Sequence, residues 1–238
     1  MTKVDAVQEN SRPPAGGATD KYDPVPSVID GVIGLIVGVI GLALAAVGIG
    51  LYTRVDRSLI AEAVTQESVT INGLTKAEFI TAAGPFVDWI AVGMAVTGLL
   101  SLVGAAAFVV LRRRTRQRVS REGGTTATYF ACAVYGATVT VLVSFVPGAA
   151  IAGGGAAAYL YDGDSSVRVG AAAGAVGSVL MLPLVAFVGV GFIAGAMAVS
   201  ELAGGTLIAS LVVGAGAIAL ILNVGLGGVG GFLIDRFF

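Results

Sequence analysis

GVIGLIVGVIGLALAAVG, residues 31–48, is apolar from end to end and still has five glycines. In water, glycine inside a helix costs about 1 kcal/mol against alanine. In hydrocarbon the balance changes, because an unbonded peptide group costs several kcal/mol there and the chain must close its hydrogen bonds within the segment. Helices in lipid also gain nothing hydrophobic by pressing together. They associate by close backbone approach, so small residues line the contact. Gly31, Gly34, Gly38, Gly41, Ala45 and Gly48 recur at steps of 3 and 4, which predicts a membrane-spanning helix over about 27–52 with a helix-packing seam of Gly31, Gly34, Gly38, Gly41 and Gly48. A narrow pore lining is the functional alternative for the same glycines.

Composition agrees. Of 238 residues, 56% are hydrophobic and 12% charged, against about 25% charged in soluble domains. The expected fold class is all-α: a polytopic transmembrane helix bundle with glycine/alanine small-residue interfaces. The net charge of −1 gives no case for nucleic acid as a partner. Residues 1–26 are polar and proline-bearing and read as a disordered cytoplasmic tail, not as a signal peptide, whose apolar stretch would stand nearer Met1.

The next apolar stretch is expected at 85–111, starting at Pro85, with Trp89 at an interface and small residues at Ala91, Ala95, Gly98, Ser101 and Ala105. Residues 27–111 then form a two-helix hairpin with an extracellular loop 53–84. In that loop Asn72-Gly73 signals a turn. Thr75 and Glu78 fit a capping box opening a short helix to Ala83. Residues 54–69 have amphipathic spacing, which suits a segment resting on the membrane surface or a platform for a partner.

Arg112, Arg113, Arg114, Arg116, Arg118 and Arg121 follow the second span. By the positive-inside rule they are a topology anchor, making 112–124 a basic cytoplasmic loop and the N-terminus cytoplasmic in a multi-pass cell-membrane protein. The glycine-rich domain 125–238 holds apolar blocks at 125–161, 168–199 and 203–236, each too long for one crossing of a core about 30 Å thick. Helix breaks are expected at Pro147-Gly148 and at Asn223 with its following glycines, and Pro183 as a kink. The preferred count is six membrane segments, within a range of five to seven. GGGAAAYLYD (153–162) echoes the stretch ending in Asp235, a similarity that glycine-rich composition accounts for.

Chemistry-bearing residues are few. There is no histidine, and the single cysteine, Cys132, lies in an apolar run. Asp30, Asp88, Asp162, Asp164, Glu201 and Asp235 stand at segment ends or in loops, whereas ion-coupled transporters keep ionisable groups inside the bundle. Asn223 reads as an interhelical hydrogen-bonding residue. No catalytic residues, metal ligands or cofactor site are expected.

SFVPGAAIAGGGAAAYL (144–160), VRVGAAAGAVGS (167–178) and GLGGVGGFL (225–233) resemble a haloarchaeal family of glycine-rich membrane proteins of unknown function. The resemblance covers about residues 127–236. Eleven arginines against three lysines suit a halophile. The family implies about four helices in this region and a cell-membrane location, and it brings no site residues.

The expected function is a non-enzymatic integral membrane protein, structural or a subunit of an assembly. Its expected partners are the lipid bilayer and, through the glycine seams, further copies of itself or other membrane subunits. The alternative is a channel or uncoupled transporter for a small solute.

Overall fold

The structure, a computed structural model, describes residues 26–55, 57–63, 74–161 and 163–237. The tail over 1–25, the Asn72-Gly73 turn, the 64–69 part of the amphipathic segment and Asp162 lie outside the described residues. Among the described residues eight helices follow in order: α1 (Ser27–Arg54), α2 (Arg57–Ala63), α3 (Lys76–Glu122), α4 (Tyr129–Leu142), α5 (Ala149–Leu160), α6 (Ser166–Val179), α7 (Leu182–Ala198) and α8 (Leu202–Phe237). Four stretches are long and apolar enough to cross a membrane: α1, α3, α6 with α7, and α8. The fold is an all-helical membrane bundle.

Several boundaries differ from the sequence reading. The capping box forms as expected, with the Thr75 hydroxyl accepting from the Glu78 N–H and the Glu78 carboxylate accepting from the Thr75 N–H. The helix it opens does not stop at Ala83. It passes through Pro85 and runs on to Glu122. Pro85 stands inside α3, where its missing N–H removes one backbone hydrogen bond without ending the helix, and the arginines are good helix formers, so the expected loop 112–124 is helical to residue 122 and turns only at Gly123 (φ +82°) and Gly124 (φ +112°). The expected loop 53–84 likewise holds α2 and the first turns of α3.

Pro147 and Gly148 lie between α4 and α5, where Gly148 takes φ +89°, a left-handed value that suits glycine. Pro183 stands at the start of α7, after a break at Leu180–Met181. Its ring has no N–H and crowds the carbonyl four residues back. The break expected at Asn223 is absent, and α8 is unbroken through Asn223, Gly225, Gly227 and Gly228. The Asn223 amide donates sideways to Ser178 Oγ at 3.0 Å, so it does not compete for the helix's own peptide groups.

The count changes accordingly. α4 and α5 have 14 and 12 residues, about 21 and 18 Å of helix, against about 30 Å of hydrocarbon. They form a hairpin with both open ends at one level. Tyr129 packs edge-on against Tyr161 at 5.7 Å and donates its hydroxyl to the Arg168 carbonyl at 2.9 Å. Each of the two helices is too short to cross by itself, so four stretches are long and apolar enough to cross where six membrane segments were expected.

The interior is built from alanine and glycine. Ala131, Cys132, Ala157 and Ala173 have no exposed surface, and the buried Cys132 thiol is a packing group. α1 lies antiparallel on α3. A Cβ on Gly41 would stand 2.8 Å from the Gly98 carbonyl oxygen, and one on Gly48 2.5 Å from that of Ala91. At the other joint, Gly154 and Gly170 meet the Gly227 backbone and Gly174 meets the Asn223 carbonyl.

The predicted seam on α1 is only half used. Gly34, Gly41 and Gly48 face α3, whereas Gly31 and Gly38 have open space where a Cβ would go. Small residues every seventh place drift by about 20° per heptad on a straight helix. The set Gly31, Gly38 and Ala45 starts roughly 60° to the side of Gly34, and only Ala45, 5% exposed, has turned into the contact.

Candidate functional site

The most concentrated polar chemistry among the described residues is a buried ion cluster where α1, α3 and α4 meet. The antiparallel register that sets Gly41 on Gly98 also brings Asp30, in the first turn of α1, opposite Arg112. Arg112 Nε stands 2.9 Å from Asp30 Oδ1, and Arg116 Nε 2.7 Å from Oδ2. Arg112 and Arg116 are four residues apart, so they share one helix face, and a single carboxylate bridges both. Tyr135, from α4, donates its hydroxyl to Asp30 Oδ1. Arg112 Nη1 donates to the Thr126 carbonyl just before α4.

Asp30 and Arg112 are 6% and 3% exposed. Burying an ion costs several kcal/mol unless it is paired and hydrogen-bonded, and here the carboxylate is met from three sides. Two further contacts shape the pocket around it. The Arg112 guanidinium carbon lies 5.6 Å from the Tyr135 ring centre, and Phe108 meets that ring edge-on at 6.0 Å. Arg112 Nη2 is buried with no hydrogen-bond partner, and the nearby aromatic face offers the cation a partial electrostatic substitute.

The arrangement joins helices. It ties the α4–α5 hairpin, through Tyr135 and Thr126, to the α1–α3 pair at the arginine end. Both carboxylate oxygens are engaged by side chains of the bundle itself. Of the six arginines expected to anchor topology, Arg112 and Arg116 therefore turn inward, while Arg113, Arg114, Arg118 and Arg121 are exposed, and Arg118 pairs with Glu122 at 2.9 Å.

Sequence reading placed Asp30 at a segment end without seeing its partners. The available signal was an acid near the start of one apolar stretch and arginines after the next, which meet when the two run antiparallel. Nothing in the sequence pointed to Tyr135 or Thr126, because their approach depends on the hairpin folding back beside α1.

The hairpin tip is the second notable feature. Residues 144–148 are exposed, Phe145 at 83%. Val146 N–H bonds to the Val143 carbonyl and Ala149 N–H to that of Val146, but the N–H groups of Phe145 and Gly148 find no acceptor among the described residues. No family model, curated protein or solved structure matches the chain.

Proposed function

We propose that this chain is a non-enzymatic integral membrane protein that works as a structural element or as a subunit of a membrane assembly. The observation that carries the reading is how the polar groups of the bundle are used: Asp30 bridges Arg112, Arg116 and Tyr135 across three helices. Asn223 bonds Ser178 across α8 and α6 in the same way. Backbone-close glycine contacts at Gly154, Gly174 and Gly227 leave little width for a path between α5, α6 and α8.

In the proposed topology the arginine end is cytoplasmic, following the positive-inside rule, and both ends of the described chain lie on that side. The chain crosses four times, and α4–α5 enters and returns. The likeness of residues 127–236 to haloarchaeal membrane proteins suits a cell-membrane location. Irregular backbone at membrane depth is tolerated only where protein or water covers it. An apolar tip at Phe145 and Val146 favours protein, which supports the assembly reading.

The same tip favours one second reading, a passive channel, since peptide groups freed at Pro147-Gly148 are what a water-filled path uses. Solute flux separates the two. Liposomes holding the purified chain should leak small ions and sugars no faster than empty ones. Leakage that rises with protein content and falls in Ser144→Leu would replace the structural reading with the channel.

A further inference from the structure

A cavity of about 430 Å³ lies at the end of the bundle opposite the arginines, between the first turns of α3, the last turns of α7 and the start of α8. This volume falls within the roughly 300–1,000 Å³ of small-molecule sites. Its walls include Phe79, Phe86, Phe192 and Ile208, with the Phe86 and Phe192 ring centres 4.6 Å apart. Gly204 lines it with nothing within 4 Å of where a Cβ would stand, so that glycine borders open space and is not a helix contact. Asp88 and Trp89 follow Phe86 in α3 and are both exposed, which sets the cavity near the border of the apolar layer.

Among the described residues, Glu201 is the one charged residue lining the cavity. Its backbone is fixed by the α7–α8 turn. Ser200 takes φ +62°, and Glu201 N–H bonds to the Ala196 carbonyl at 2.9 Å, the pattern of a helix C-cap with a left-handed residue. The Glu201 side chain makes no ion pair or hydrogen bond with the described residues. Four described charged residues stand within three positions of a lining residue in the chain. Glu78, Asp88 and Glu201 are acids, and Lys76 is the single base.

We propose that this cavity binds a lipophilic amine: an amphiphile whose apolar part enters among Phe79, Phe86 and Phe192 and whose cationic end pairs with Glu201. An aromatic-lined cavity rejects a free charge, and an unpaired carboxylate at its wall favours a cation over an anion or a plain acyl chain. This goes beyond the structural role and does not depend on it.

The chain has one tryptophan, Trp89, which stacks on Phe187 at 5.9 Å one turn from Phe86. Energy transfer from Trp89 to an alkylamine with a dansyl group on the end away from its free ammonium, measured on the full chain in zwitterionic nanodiscs, reports occupancy. A dansylated fatty acid of equal length is the charge control. Transfer to the amine should saturate, and the acid should bind roughly tenfold more weakly or worse, as expected for one charge-assisted contact. Glu201→Gln should remove that preference. Gly204→Leu, which fills open space, should abolish saturable transfer while leaving the melting temperature unchanged. Transfer that rises linearly with probe, equal binding of amine and acid, or full binding in a folded Gly204→Leu variant would overturn the proposal.

Discussion

Asp30→Ala should destabilise the bundle by about 3–5 kcal/mol, the range seen when one partner of a buried ion pair is removed. The loss is large because Arg112, 3% exposed, keeps its charge and pairs with no other acid among the described residues, and the Tyr135 hydroxyl loses its acceptor at the same time. Tyr135→Phe removes only a hydroxyl and leaves both arginines paired, so its cost should be about 1 kcal/mol. Replacing the whole joint with apolar groups, Asp30→Leu with Arg112→Met, Arg116→Met and Tyr135→Phe, should recover most of the stability lost in Asp30→Ala, since a buried ion network and a well-packed apolar one are often close in free energy. Melting curves in a mild detergent read all three. Equal stability of Asp30→Ala and the unmodified chain would mean that the carboxylate is not buried among the arginines.

The second large effect belongs to the joint of α5, α6 and α8. A Cβ on Gly174 would collide with the Asn223 carbonyl carbon and oxygen, and one on Gly227 with the Gly170 carbonyl oxygen. Both obstacles are backbone on rigid helices, so neither can rotate away. Overpacking a core with extra methylenes costs typically 1–3 kcal/mol, and Gly174→Leu or Gly227→Leu should reach or exceed about 3 kcal/mol by the same mechanism. Gly38→Leu, where the space is open, should stay within about 0.5 kcal/mol of the parent, as surface changes usually do. Comparable losses at Gly38 and Gly174 would mean that Gly38 too meets protein.

That contrast also shows what was legible in the sequence. Small residues at steps of 3 and 4 identified α1 as a membrane helix and identified the right edge of its contact. They could not tell Gly34, Gly41 and Gly48 from Gly31 and Gly38, because the choice depends on the crossing of α1 over α3 and not on spacing. Thr75 and Glu78 marked the start of α3 through a purely local mechanism, and local mechanisms are what a sequence shows best. Pro147-Gly148 lies at a chain reversal for a similarly local reason.

Asn223 misled because a polar residue among glycines resembles a break in any single segment. Its real partner, Ser178, is 45 residues away. The length of the 125–161 block suggested two crossings, yet α4 and α5 together return to the level where they began. Asp30 was visible and its role was not, since that role comes from Arg112, Arg116 and Tyr135 arriving from two other helices.

The arrangement of the α4–α5 hairpin is what separates four crossings from six, and the depth of Phe145 tests it most directly. A spin label on Phe145→Cys in a Cys132→Ala background, with the chain in liposomes, can be relaxed either by oxygen dissolved in the bilayer or by a water-soluble nickel chelate. A tip at half depth, covered by protein or lipid, predicts that neither face of the membrane gives the chelate access and that oxygen dominates. Strong relaxation by the chelate would put the tip in water. It would contradict the half-depth hairpin and, with it, the reading of this chain as a sealed structural bundle.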